Sequence, residues 1–86
     1  MAEGLLRFWA AARQAAGGRA EEPWRGETLA EVLEAARAAH PGATFAAVLS
    51  RSSFLVSGAP VGRRDPATVR LADGDVVEVL PPFAGG

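Results

Sequence analysis

The stretch TLAEVLEAARAAHPG, residues 28–42, decides the fold because it carries a complete set of helix signals. Thr28 is a good N-cap, and Glu31 stands three residues later, which is the spacing of a capping box. The apolar residues that recur at helical spacing form one stripe: Leu29, Val32, Leu33 and Ala36. The Pro-Gly pair after His40 ends the pattern, and we expect His40 to complement the helix dipole. The stretch therefore predicts a helix over residues 29–39 with one buried face.

Short alternating segments on both sides of this helix predict the strands of a sheet. The predicted strands cover residues 4–9, 19–24, 54–57, 69–71 and 76–80. The first strand places Leu6 and Phe8 on one face, and Pro23 with its charged neighbours makes the second an edge strand. A short helical turn or loop is expected over 10–16 and a second short helix over 44–50. Turns are expected at residues 57–60 and 73–74, and a polar surface loop at 62–67.

These elements indicate an α+β fold in which a mixed sheet of about five strands wraps around one main helix, with a short second helix. One amphipathic stripe then packs against one buried sheet face. The arrangement that we favour is a β-grasp, in which the first and last strands are parallel neighbours. Residues 1–80 would form the domain, and residues 81–86, PPFAGG, would form a flexible C-terminal tail.

The composition of the 86-residue chain excludes most kinds of site chemistry. Cysteine is absent and there is a single histidine, which leaves too little material for a metal site or a catalytic triad. We therefore expect neither a metal nor a bound cofactor. The nine cationic residues are all arginine, and ten carboxylates give a net charge of −1, which argues against a nucleic-acid surface. Codon bias is the simplest explanation for the lack of lysine.

No segment of the sequence predicts a membrane span or a targeting signal. The longest apolar stretches fall far short of the roughly 18 residues needed to cross a bilayer. The N-terminus lacks the charged, apolar and cleavage regions of a signal peptide. The expected location is the cytoplasm.

The C-terminus is the most informative feature for function. The last predicted strand runs into Pro81 and Pro82, which stiffen the exit, and the chain ends at Gly85 and Gly86. Because the two glycines have no side chains, a narrow tunnel can admit them. The reactive group of such a C-terminal segment is the α-carboxylate of Gly86, and Phe83 and Ala84 link the prolines to the two glycines.

Three segments resemble the MoaD/ThiS sulfur carriers of the ubiquitin-like superfamily, and together the resemblance covers essentially the whole chain. LLRFWAAARQAAG, residues 5–17, is similar to the first strand of that family followed by A-x-x-R-x-x-x-G. FLVSGAPV, residues 54–61, resembles the V-N-G turn, with Ser57 where asparagine is usual. ADGDVVEVLPPFAGG, residues 72–86, is close to the D-G-D-x-V-x-x-x-P-P-x-x-G-G ending of molybdopterin synthase small subunits. The 62–67 loop is longer than usual.

The resemblance implies a reaction at Gly86. An E1-like activating enzyme of the MoeB/ThiF type would adenylate its carboxylate with ATP and magnesium, and a sulfur donor system would convert it to a thiocarboxylate. A MoaE-like large subunit of molybdopterin synthase would then receive the tail, and the thiocarboxylate would give sulfur to a pterin precursor. The chain would be a sulfur-donor subunit and not an enzyme on its own. No nucleic acid and no membrane would take part.

Strand alternation predicts a partner surface near the tail. Trp9 and Leu80 should lie exposed on adjacent strands, as anchors for a partner, and Arg7 should pair with Glu78 across them. Pro60 and Phe83 could extend this surface. Arg13 is a further candidate, for contact with an acidic groove of the activating enzyme. The alternative for Trp9 is partial cover by residues 10–16 and a packing role alone.

Two other classes of function stay open. The chain could carry sulfur for thiamine, cysteine or tRNA thiolation pathways, although thiamine-pathway tails usually lack the double proline. It could also be a β-grasp binding module without covalent chemistry, which would not need Gly85 and Gly86. A stand-alone enzyme is a poor candidate because no acid–base pair is evident. Asp73 and Asp75 flank a turn glycine and are interpreted as turn formers.

Overall fold

A computed structural model describes residues 1–82, in which one sheet of five strands carries three α-helices. The strands are Ala2–Phe8 (β1), Glu21–Gly26 (β2), Ser53–Val56 (β3), Ala59–Pro60 (β4) and Val76–Leu80 (β5). The α-helices are Ala10–Ala15 (α1), Leu29–Ala39 (α2) and Ala43–Ser50 (α3), and a 3₁₀ turn covers Pro66–Thr68. The predicted helix over residues 29–39 is confirmed at both ends.

The strand order in the sheet is β2-β1-β5-β3-β4. β1 lies antiparallel to β2 and parallel to β5, while β3 is antiparallel to both of its neighbours. The sheet is therefore mixed, with the last strand at its centre, and β2 is an edge strand. This confirms the predicted pairing of the first and last strands, and the fold is a β-grasp.

Helix α2 packs its apolar stripe against the inner face of the sheet. Its N-terminus is a capping box, since Thr28 Oγ1 accepts from the Glu31 N–H at 3.3 Å and Glu31 Oε1 accepts from the Thr28 N–H at 3.1 Å. The four stripe residues predicted from the sequence are the four buried residues of the helix. They meet the buried side chains of the two central strands: Leu6, Phe8, Val77 and Val79.

Two predictions for the second half of the chain were wrong. Residues 69–71 do not join the sheet, because the Val69 carbonyl accepts from the Leu29 N–H and the Leu71 N–H donates to Glu27, both beside the start of α2. Residues 59–60, assigned to a turn, form β4 instead. Ser57 and Gly58 complete the reversal alone, since both have positive φ, 47° and 85°, as a two-residue hairpin turn requires.

At one point β1 and β5 approach so closely that a side chain would not fit. The Asp75 carbonyl accepts from the Leu5 N–H at 3.2 Å and from the Trp24 indole N–H at 2.9 Å. Gly4 faces this junction, and a β-carbon built there would overlap the Asp75 carbonyl oxygen and lie 2.7 Å from Trp24 Nε1. Glycine at position 4 therefore allows Trp24, which is 4% exposed, to close the core beneath β1.

His40, at the end of α2, makes side-chain contacts with other elements in addition to the predicted interaction with the helix dipole. Its Nε2 lies 2.9 Å from Glu22 Oε2, and both side chains are mostly buried. The imidazole also packs on the rings of Phe8 and Phe45, at centroid distances of 6.0 and 4.7 Å. His40 thus joins α2, β2 and α3 at one end of the domain.

Candidate functional site

The root of the C-terminal tail is held by the centre of the sheet. Leu80, the last residue of β5, lies opposite Ser53 in β3. Pro81 is buried and Pro82 is exposed, so the chain reaches the surface between these two residues. Both prolines line a groove between the ends of α1 and α3, together with Ala11, Val48 and Arg51. The remaining tail residues, 83–86, lie outside the described residues, and their predicted roles stay predictions.

The outer face of the sheet presents an apolar surface beside this root. The register that pairs Phe8 with Val79 places Trp9 next to Leu80. Trp9 is 43% exposed, as predicted, whereas Leu80, which was also predicted to be exposed, is half-buried beside its strand neighbours. The Trp9 indole is fixed by a hydrogen bond, since its Nε1–H donates to Glu78 Oε1 at 3.0 Å. An exposed, oriented indole next to the tail is a suitable anchor for a partner.

The predicted ion pair between Arg7 and Glu78 is not formed. The two residues lie opposite each other in the β1–β5 register, but the Arg7 guanidinium pairs with Glu21 on β2, at 2.9 Å. The antiparallel register also places Glu21 directly opposite Arg7, and Glu78 is already occupied by the Trp9 indole. The indole therefore replaces the guanidinium as the partner of Glu78.

The structure brings together only part of the predicted partner surface. Pro60 is exposed on the edge strand β4, on the same sheet face but two strands from β5. Arg13, on α1, is exposed and its Nε–H donates to the Gly18 carbonyl at 3.3 Å. Leu55, which the sequence reasoning missed, lies on the outer face between Glu78 and Pro60. The alternation within FLVS could have identified it.

Asp73 and Asp75 act as turn formers, as predicted. Asp73 Oδ1 accepts from the Glu3 N–H at 3.0 Å. Asp75 Oδ2 accepts from the Ala72 N–H at 2.8 Å, and its Oδ1 accepts from the Ser57 hydroxyl at 2.7 Å. Ser57, at the position where the resembling family has asparagine, thus joins two turns. Among residues 1–82 no group of three or more histidine, cysteine or acidic side chains could hold a metal ion.

No helix within the described part of the chain has the length and apolar character needed to cross a membrane.

Comparison with solved structures finds the same fold along the full chain. The solution structure of small archaeal modifier protein 1 (SAMP1) from Methanosarcina acetivorans is 26% identical, with a TM-score of 0.83 over 100% of this chain and 98% of that one. The Haloferax volcanii HVO 2177 protein is 32% identical, with a TM-score of 0.77 over 99% and 87% of the two chains. No curated protein sequence gives a significant match.

A third similar structure contains two kinds of subunit. It is the complex of subunits 1 and 2 of molybdopterin-converting factor from Helicobacter pylori, matched at 20% identity and a TM-score of 0.67, over 98% of this chain and 99% of that chain. At this identity the likeness shows the fold alone. The sequence itself matches the family model described as "ThiS family" over residues 6–86. The chain therefore belongs to the ThiS family of ubiquitin-like sulfur carriers.

Proposed function

We propose that the chain carries sulfur as a thiocarboxylate on Gly86 and serves as the small subunit of molybdopterin synthase. The observation that carries this proposal is the route of the chain at its C-terminus. The central strand β5 ends at Leu80, Pro81 anchors the exit in a groove, and Pro82 is exposed, with four residues still to follow. The chain thus reaches the surface at the end of a central strand, and the sequence that follows ends in Gly-Gly.

The chemistry takes place on the terminal carboxylate. One of its oxygens attacks the α-phosphorus of ATP, pyrophosphate leaves, and an acyl adenylate forms. Hydrosulfide supplied by the donor system then adds to the acyl carbon and AMP departs, which leaves the thiocarboxylate. The chain supplies the acyl group, and the activating enzyme supplies the magnesium and the catalytic groups.

The outer sheet face would dock the partners that receive the tail. Trp9 and Leu80 lie side by side where the tail begins, so a partner that holds them also fixes the direction in which the tail leaves. Four residues beyond Pro82 extend at most about 14 Å, at about 3.3–3.6 Å per residue. The acceptor site of each partner must therefore lie within about that distance of the docked surface.

The C-terminal sequence supports molybdopterin synthesis over other sulfur-transfer pathways, because the ending ADGDVVEVLPPFAGG agrees with the small-subunit pattern, including the double proline. The H. pylori structure, a complex of subunits 1 and 2 of molybdopterin-converting factor, illustrates a partner for this fold but does not distinguish the pathways. We propose a corresponding large subunit as the partner of this chain, and an E1-like enzyme as its activator.

Attachment to another protein is a second candidate function, favoured by the 26% identity to a protein named a modifier. It would use the same acyl adenylate, with an amine in place of the sulfur nucleophile and an amide bond as the product. The chain has no lysine, so a conjugate would have to form on a different protein or on the N-terminal amine.

Intact-mass spectrometry tests the proposed carrier reaction. The chain is incubated with an activating enzyme from the same organism, ATP, magnesium and a sulfur source. We expect a mass gain equal to the difference between sulfur and oxygen, on a fragment containing Gly86. A variant with one residue added after Gly86 should show no gain, whereas the control with one residue added before Met1 should react normally. Equal gain in both variants, or no gain in the unmodified chain, would contradict the proposal.

The pathway is tested separately with the thiocarboxylated chain. We expect sulfur to be transferred to a pterin precursor in the presence of a MoaE-like large subunit, with the carboxylate regenerated on Gly86. Transfer only to a thiamine precursor, a cysteine precursor or tRNA by the corresponding enzymes would retain the carrier function and reject the molybdopterin assignment. An adduct that resists reduction and carries a second protein would favour the modifier function.

A further inference from the structure

Three arginines lie at the end of the sheet from which the tail leaves. Arg51 follows α3 and lines the groove that holds Pro81 and Pro82. Arg63 and Arg64 follow β4 and line a second groove, which includes Ser53, the residue opposite Leu80. We call Arg51, Arg63 and Arg64 the arginine rim. Arg51 thus lies beside the tail root itself, while Arg63 and Arg64 line the groove that contains the residue opposite Leu80.

The rim is exposed and is partly preorganised. Arg64 donates its Nε–H to the Val61 carbonyl at 3.1 Å and an Nη–H to the Pro60 carbonyl at 3.3 Å. Within residues 1–82, none of the three guanidinium groups forms an ion pair with a carboxylate. Asp65, the acidic residue next to Arg64, uses its carboxylate to accept from the Ala67 N–H at 2.9 Å. Three guanidinium groups outnumber this one carboxylate, so a net positive charge remains beside the root of the tail.

The opposite end of the sheet carries carboxylates. β1 and β5 are parallel and both begin there, where Glu3, Asp73 and Asp75 are gathered by the turn that precedes β5. Because the net charge of the whole chain is −1, the arginine rim is a local feature of one end and not a general property of the surface. Neither end carries one sign of charge alone, since Arg25 lies opposite Glu3 and Glu21 lies opposite Arg7, so the positive charge beside the tail is that of the rim itself.

We propose that the arginine rim docks on an acidic protein surface that surrounds the opening through which a partner receives the tail. This inference rests on the proposed function and names the chemistry of the partner. When a partner takes in the tail, the residues around the tail root necessarily face the mouth of its tunnel. Opposite charges on the rim and on the partner would speed the encounter of the two proteins and orient the chain so that its tail enters first.

Nucleic acid is a poorer occupant than protein. Three exposed arginines on a chain of net charge −1 offer too few phosphate contacts for the counterion release that drives such binding.

The test measures association of the full chain with the activating enzyme by stopped-flow fluorescence, using the Arg51→Glu/Arg63→Glu double variant. At low ionic strength we expect its association rate constant to fall about tenfold. At about 1 M salt, where the Debye length is about 3 Å, the two rates should converge. The matched control is Arg25→Glu/Arg70→Glu, which reverses two exposed arginines outside the rim and should stay within about twofold of the unmodified chain. Circular dichroism verifies that the variants fold.

The outcomes separate this inference from the proposed function. If the unmodified chain gains no sulfur, the carrier function fails. If it is thiocarboxylated but the rim variant associates at the unmodified rate, only the acidic-surface inference fails. An equal loss in the control variant would also overturn the inference, because the effect would then follow net charge and not position. Partial recovery in Arg51→Gln/Arg63→Gln would support it.

Discussion

Replacing Gly4 with alanine tests the close approach of β1 and β5, on which the position of the tail depends. The added β-carbon would overlap the Asp75 carbonyl oxygen and lie 2.7 and 2.8 Å from two atoms of the Trp24 indole. Either β5 moves away from β1 or Trp24 leaves its pocket. Both responses disturb the Asp75 carbonyl, which accepts from Trp24 at 2.9 Å and from Leu5 at 3.2 Å.

The expected cost follows from three contributions. Loss of the indole hydrogen bond costs about 1 kcal/mol, and forcing a methyl group into a filled site costs about 1–3 kcal/mol. Alanine recovers about 0.5–1 kcal/mol over glycine in a strand. We therefore expect Gly4→Ala to lower the free energy of unfolding by about 2 kcal/mol, which for a domain of this size lowers Tm by about 10 °C.

Urea denaturation followed by circular dichroism measures this difference, and Gly26→Ala is the matched control. Gly26 is also a strand glycine, and it is buried where Gly4 is half-buried, but a β-carbon there would meet its nearest neighbours at 3.5–3.7 Å, which is ordinary contact. We expect the control to match the unmodified chain or to exceed it by up to about 1 kcal/mol. Equal stability of the two alanine variants would refute the reasoning about the β1–β5 junction.

Three further changes test other parts of the molecule. Thr28→Ala removes the side-chain half of the capping box and should lower the free energy of unfolding by about 1 kcal/mol in urea denaturation; no change would mean that α2 does not depend on its cap. Glu22→Gln weakens the mostly buried contact with His40 and should cost about 1 kcal/mol, whereas Glu34→Gln, on an exposed pair, should cost less than about 0.5 kcal/mol in the same assay. Trp9→Ala should weaken binding to the activating enzyme by roughly 2 kcal/mol in calorimetry; an unchanged affinity would remove Trp9 from the docking surface.

Much of the fold could be predicted from the sequence because its signals are local. The capping box at Thr28 and the strict alternation in β5 depend on neighbouring residues, and both predictions were confirmed. Residues 69–71 have strand-like composition, but their backbone groups form hydrogen bonds with residues at the start of α2. These partners are distant in the sequence, so local composition could not predict them.

In the candidate site, too, features set by neighbouring residues could be predicted, and features set by contacts between distant residues could not. The alternation of inward and outward side chains along a strand predicted that Trp9 would be exposed beside Leu80, because that alternation depends only on the strand's own sequence. It could not predict the partner of Arg7, since Glu21 and Glu78 lie opposite that residue on two different neighbouring strands. The sequence also could not predict the arginine rim, because the segments after α3 and β4 reach the same end of the sheet only in the folded chain.

The central position of β5 has a mechanical consequence for a protein that is handled by its C-terminus. β5 is bonded to β1 on one side and to β3 on the other, so a force applied along the tail is shared by two hydrogen-bonded ladders. Because the pull runs along the strand, it loads the bonds of each ladder together, in shear, and does not open them one after another. If a partner draws on the tail, as the proposed function requires, both ladders therefore resist the pull together and the domain responds as one unit.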